Sequence, residues 1–175
     1  MNAPLHIRRL TAEQADAYVD LLADVLIDCV QGNASVSFML PIAREKAQAF
    51  WRGVAQGVER KDRILFVAED GQGRIQGTVQ LVFAGTENQP HRADVSKLLV
   101  PRAARRQGVA ARLMVAVEDA ARQAGLRTLV LDTTTGSDAE RVYARAGWQK
   151  VGDVPDYALM PDGTPSGTTF YYKTL

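Results

Sequence analysis

The sequence is poor in the residues that build redox and metal centres. Cys29 is its only cysteine, which excludes an intrachain disulfide and a thiolate metal cluster. His6 and His91 are its only two histidines and stand far apart, so no His-x-x-x-His spacing exists and no metal is expected. No stretch approaches the roughly 18 consecutive apolar residues of a membrane helix, and residues 1–9 lack the apolar run of a signal peptide. A reduced, cytoplasmic protein without a membrane partner is expected. The net charge of +1 leaves no broad basic surface for nucleic acid. No repeat, low-complexity tract or Pro/Gly/Ser-rich linker divides the chain, so one domain over residues 1–175 is expected. Gly-x-Ser-x-Gly and Walker sequences are absent too.

What remains is an ordinary globular composition, 46% hydrophobic and 23% charged. Residues 5–10 read as a strand. Thr11 with Gln14 forms a capping-box pattern, and the helix after it carries Tyr18, Leu21, Leu22, Val25, Leu26 and Cys29 toward Gly32. A loop over 33–40 leads to Pro41, expected at the first position of a second helix running to about Gly57. Residues 64–68 and 77–83 flank the turn Asp70-Gly71-Gln72-Gly73 as a hairpin. The stretch Gly71 to Gly77 imitates a dinucleotide fingerprint, but it is one residue too long and lies in this hairpin. A strand over 92–100 follows, then an amphipathic helix over 108–124 with Val109, Leu113, Val117 and Ala121 on one stripe. A strand (128–132), a short helix (138–146) and two strands (148–151 and 169–173) complete the order βααβββαβαββ. Cys29 falls on the apolar stripe of the first helix and reads as a buried structural thiol.

The chemistry concentrates at Val100-Pro101-Arg102-Ala103-Ala104-Arg105-Arg106-Gln107-Gly108-Val109-Ala110-Ala111-Arg112, where a strand enters a turn that opens a helix. The first turn of a helix has unpaired N–H groups and the positive end of its dipole, so it attracts a phosphate. Gly108 and Ala110 are small enough to let a diphosphate approach the backbone, and Arg105 and Arg106 add positive charge. With Arg102 and Arg112 they form a basic cluster sized for one small anion.

Arg105-Arg106-Gln107-Gly108-Val109-Ala110 resembles the acetyl-CoA signature of the GNAT superfamily of N-acetyltransferases, and the preceding strand ending at Val100-Pro101 fits that context. The segment Asp138-Ala139-Glu140-Arg141-Val142-Tyr143-Ala144-Arg145-Ala146-Gly147-Trp148 resembles the family's other cofactor motif. Segments spread along the chain, among them Val151-Gly152-Asp153-Val154-Pro155-Asp156-Tyr157 and Phe170-Tyr171-Tyr172-Lys173, look like the tabtoxin resistance acetyltransferase branch.

The resemblance implies an α/β fold with a mixed, mostly antiparallel sheet flanked by helices and a splayed central strand pair. It implies acetyl-CoA as cosubstrate, held by Leu98, Leu99 and Val100 along its pantetheine arm. Arg105, Arg106, Gln107, Gly108, Val109, Ala110 and Ala111 would hold the diphosphate. Tyr143 would face the sulfur as a general acid, or serve as a core tyrosine. Asp94 and Asp132 would each act as base, bind the substrate ammonium, or pair with nearby arginines such as Arg92. Where many relatives have Asn, this chain has Gly136, so the loop 133–137 should meet its ligand differently. The expected acceptor is a primary amine of a small molecule such as a toxin, antibiotic or amino-acid-like compound, which is the resistance reading. A protein or peptide amine and a non-catalytic acyl-CoA-binding module are the competing readings. The C-terminal strand either completes the sheet or pairs with a second subunit, leaving monomer and homodimer open.

Overall fold

The computed structural model describes residues 4–175. Its elements are β1 (His6–Leu10), α1 (Ala12–Ala17), α2 (Val19–Gln31), α3 (Arg44–Glu59), β2 (Arg63–Glu69), β3 (Ile75–Phe83) and β4 (Arg92–Leu99). After a 3-10 turn (Arg102–Ala104) come α4 (Val109–Gln123), β5 (Thr128–Thr134), α5 (Asp138–Arg145), β6 (Gln149–Leu159) and β7 (Pro165–Thr174). The strands form one seven-stranded sheet in the order β1-β2-β3-β4-β5-β7-β6. Every neighbouring pair is antiparallel except β4 and β5. The C-terminal strand β7 lies inside the sheet, between β5 and β6.

Two apolar layers cover the two sheet faces. Val109, Leu113, Met114 and Val117 of α4 pack with Val79, Leu81, Ala93, Val95, Leu129 and Leu131 on one face. Leu22, Leu26, Trp51 and Val54 of α2 and α3 pack with Leu65, Val67 and Leu99 on the other. Each fully buried Leu or Val stabilises the fold by about 1.5–3 kcal/mol, so these layers fix where the strand ends lie. The α4 stripe read from the sequence, Val109, Leu113, Val117 and Ala121, is buried throughout.

Three local expectations need correction. The first expected helix is two helices, because the backbone at Tyr18 opens to φ −93°, ψ 4°. There the Tyr18 ring is engaged by Arg8 of β1, whose guanidinium also binds Glu69 of β2, and Leu21 lies exposed. Pro41 does not open α3, which starts three residues later at Arg44. Pro41 belongs to the preceding loop, whose Leu40 N–H donates to Pro161 O at 2.9 Å. Finally, β6 and β7 are longer than the short strands expected at 148–151 and 169–173, forming a hairpin that takes in most of the residues between them.

Candidate functional site

Among the described residues, the only parallel pair is also the shortest ladder. β4 and β5 are in register at Arg92 with Thr128, Ala93 with Leu129 and Asp94 with Val130, and there pairing stops. Both strands run on, to Leu99 and Thr134, so a gap opens between their C-terminal halves. Leu98, Leu99 and Val100 thus border a stretch of β4 without a ladder to β5, the parting expected of the central pair. Leu99 is buried, whereas Leu98 and Val100 remain partly accessible.

At the end of β4 the chain makes the phosphate-ready turn. Arg106 has φ 61° and Gly108 has φ 77°, and this alternation curls successive N–H groups toward one point. Only glycine takes the Gly108 conformation without strain, and open space lies beyond its Cα. The first helical bond of α4 is Arg112 N–H to Gly108 O at 3.1 Å, which leaves the N–H groups of Val109, Ala110 and Ala111 ahead of it.

The side chains here divide their duties. Arg105 donates through Nε to Val100 O (3.3 Å) and Gln107 through Nε2 to Ala103 O (3.0 Å), so both brace the turn. Arg102 is neutralised by Asp28 (2.8 Å) and ties the turn to α2. Arg112 reaches away to Leu5 O (2.7 Å). Among the described residues, neither Arg105 nor Arg106 pairs with a carboxylate, so two positive charges stay available at the mouth of the gap. The turn's geometry and charge fit a diphosphate.

The carboxylates gather on one side of the gap. Leu129 and Leu131 face α4, so strand alternation puts Asp132 on the opposite face, with Asp94 on the neighbouring strand. Asp94 is half exposed and held by Arg92 (2.7 Å). Asp132 forms no ion pair among the described residues. Partial burial raises its pKa, Lys97 opposes that rise, and the like charge of Asp94 adds to it. Tyr143 lies on the other side, packed in the α4 layer against Trp148 and Tyr171 at ring distances of 6.1 and 5.8 Å. Burial, then the charge of Asp132, push its phenol above the usual value, so it stays protonated at any working pH. The structure therefore sets the two carboxylates on one face of the sheet and the Tyr143 phenol on the other.

Three site neighbours escaped the sequence reading. Lys97 sits where β4 bulges, with φ 52°, and its Nζ lies 3.2 Å from Ser37 Oγ. Glu140 anchors the loop at Gly136, where φ is 80°: its carboxylate accepts the Gly136 N–H at 2.8 Å and bonds to Thr169 and Tyr171. The loop 133–137 is thus tied to α5 and β7. Its only advance signal was a glutamate in the first turn of a short helix. The third, Ser37, has positive φ in the loop over 33–40 and gave no signal.

The loop after α2 and the β6–β7 turn meet over the carboxylate side. Besides the Leu40–Pro161 bond, Asn33 Nδ2 lies 3.4 Å from Asp162 Oδ2. Phe170, opposite Asp132 in the β5–β7 ladder, packs edge-on against Tyr157 at 5.6 Å, while Phe38 packs against Phe50 at 5.3 Å. Cys29 is buried, its thiol 3.6 Å from Val100 O, and burial pushes its pKa up to about 11, which keeps it out of nucleophilic chemistry. Among the described residues no group of three or more His, Cys, Asp or Glu is placed to hold a metal ion. No helix among them is long and apolar enough to cross a membrane.

Comparison with known proteins agrees with this geometry. Residues 33–148 match the model of the acetyltransferase (GNAT) family. An uncharacterized N-acetyltransferase of the hisH-hisA intergenic region of Azospirillum brasilense is 40% identical over 113 residues, which span 63% of this chain and 65% of that protein. The yncA structure from Salmonella typhimurium, solved with its cofactor acetyl-CoA, superposes with a TM-score of 0.80 at 16% identity, covering 99% of this chain and 95% of that one. The ribosomal-protein-alanine N-acetyltransferase of Brucella melitensis gives 0.80 at 20% identity, covering 97% and 99%. With its gapped parallel pair, its αL-started helix and this family match, the chain belongs to the acetyltransferase (GNAT) family.

Proposed function

We propose that the protein transfers an acetyl group from acetyl-CoA to the primary amine of a small molecule, both reactants being bound together. The observation that carries this reading is the gap after Asp94 and Val130, with an anion-binding turn at its mouth and acid–base groups on both sides. Acetyl-CoA supplies the acetyl group as a reactive thioester. The N–H groups of residues 106–111, with the charges of Arg105 and Arg106, hold its diphosphate. The ladder-free backbone of Leu98, Leu99 and Val100 receives the pantetheine arm.

On the carboxylate side, Asp132 takes the proton from the incoming ammonium. It fits this task better than Asp94, because Asp94 already shares its charge with Arg92. The raised pKa of Asp132 moves it toward that of the amine it must deprotonate. Tyr143, which keeps its Oη proton on the α4 side, is the donor assigned to the leaving sulfur by the family resemblance.

The acceptor side supports a small molecule. A peptide substrate needs an open groove there, whereas the loop carrying Asn33 and Leu40 is bridged to Pro161 and Asp162. The likeness to the tabtoxin resistance branch points the same way.

The test is calorimetric titration of acetyl-CoA into wild type and Gly108→Glu, followed by an amine screen that follows thiol release. Binding by wild type, weakened at least tenfold in a folded variant, supports the site. Failure of wild type to bind acetyl-CoA or CoA overturns it.

A further inference from the structure

Acetyl transfer needs a base and an acid at the gap, but it does not need Lys97. On a regular strand Lys97 would share the face of Ala93 and Val95 and enter the α4 layer. The bulge prevents this: between Thr78–Leu99 and Gln80–Ser96, β4 carries one residue more than β3. The extra residue turns Lys97 to the carboxylate face, where its ammonium meets Ser37 and lies 5.9 Å from the centre of the Phe50 ring. The Thr78 hydroxyl donates to Lys97 O at 3.1 Å and fixes the bulge.

A half-buried ammonium is stable when a negative group answers it. Among the described residues no carboxylate forms an ion pair with Lys97. Burial accordingly lowers its pKa, and Asp132 offsets this only in part. Asp132 is unpaired as well, so the ends of β4 and β5 present one free cation and one free anion on a single face. The layer behind them has spare donors. Gln80, in register with Ser96, and Trp51, next to Phe50, are buried, and Gln80 Nε2 and Trp51 Nε1 have no partner among the described residues.

We infer that Lys97 determines acceptor specificity: it pairs with a carboxylate on the acceptor while the acceptor's amine meets Asp132, so the substrate class is an amine that also carries a carboxylate. The inference rests on the acetyl-transfer reading and deepens it. Opposite charges at two strand ends match a zwitterion end to end, whereas a plain amine leaves Lys97 unanswered.

Pairs of acceptors that differ only in the carboxylate test it: α-amino acids against the corresponding decarboxylated amines, each assayed for thiol release from acetyl-CoA. Wild type is expected to favour the carboxylate-bearing member at least tenfold in kcat/KM. Lys97→Met should reduce that ratio at least tenfold through KM, and Lys97→Arg should restore part of it. Acetyl-CoA affinity and thermal unfolding establish that each variant is folded. Equal or better use of the plain amines by wild type, or an unchanged ratio in Lys97→Met, overturns the inference, as does acetyl-CoA binding without turnover of any pair. Absence of acetyl-CoA binding overturns the acetyl-transfer reading itself.

Discussion

Gly77 sets the seat of the phosphate-binding helix, and a single methyl there should disturb both stability and cofactor binding. A Cβ at this position would lie 2.8 Å from Val109 Cγ1, 3.0 Å from Leu113 Cδ1 and 3.0 Å from Leu99 O. Ordinary carbon contacts begin at about 3.5 Å, so the added atom intrudes by roughly half an ångström or more. None of the three neighbours yields easily. Val109 is stiff at χ1, Leu113 is fully buried, and the third atom is backbone. The start of α4 must therefore lift from β3, at about 1–3 kcal/mol for an overpacked core. Reduced freedom of the unfolded chain returns about 0.4–1 kcal/mol of this. At about 2–4 °C per kcal/mol for a chain of this length, Gly77→Ala should unfold several degrees below wild type. Because Val109 is the first residue of α4, the N–H groups of 109–111 move with it, and acetyl-CoA should bind at least threefold more weakly. Thermal unfolding by circular dichroism and calorimetric titration measure the two effects. A melting temperature within 1 °C of wild type together with an unchanged Kd would refute the packing argument.

Other perturbations follow from groups already placed. Buried Glu118 accepts from Trp148 Nε1 (2.9 Å) and Lys173 Nζ (2.6 Å), so Glu118→Ala strands the indole donor, leaves the Lys173 ammonium only the Ala146 carbonyl, and should cost about 3 kcal/mol in urea unfolding; a loss below 1 kcal/mol would contradict this. The Cys29 thiol, pushed up to about 11, should resist a disulfide reagent at pH 8 in the native protein and react fully in denaturant, whereas rapid native labelling would show an accessible site. A base must be ionised to accept a proton, so the acid limb of kcat/KM should lie above that of an ordinary aspartate because the Asp132 pKa is raised. Lys97→Met removes a lowering influence and should move that limb to higher pH, while Asp94→Asn removes a raising one and should move it lower. Shifts of the same sign in both variants would count against Asp132 as the base.

The sequence was most informative where backbone requirements map onto residue type. Gly108 before an apolar stripe announced the turn that opens α4, and Asp70-Gly71-Gln72-Gly73 announced the β2–β3 turn. It was silent where geometry depends on partners distant in the chain. Lysine has no preference for positive φ, so the bulge at Lys97 exists only because β3 pairs on both sides of it. Tyr18 carries a helical pattern straight through a bend held by Arg8. The strand β6 includes Gly152, Asp153, Pro155 and Asp156, which are loop residues by composition but are tolerated at a sheet edge. Asp94 and Asp132 were visible as strand-end charges, yet which of them is already neutralised depended on where Arg92 points.

The three-residue ladder between β4 and β5 also has a mechanical meaning. Strands β1–β4 and β5, β7, β6 are two plates joined along a seam of three residue pairs, whereas every join within a plate is longer. Such a sheet is stiff within each plate and compliant across the seam, and a ligand arm lying in the gap acts as a splint between them. Amide hydrogen exchange at residues 95–99 and 131–134 is where that compliance, and its loss on binding, should register first.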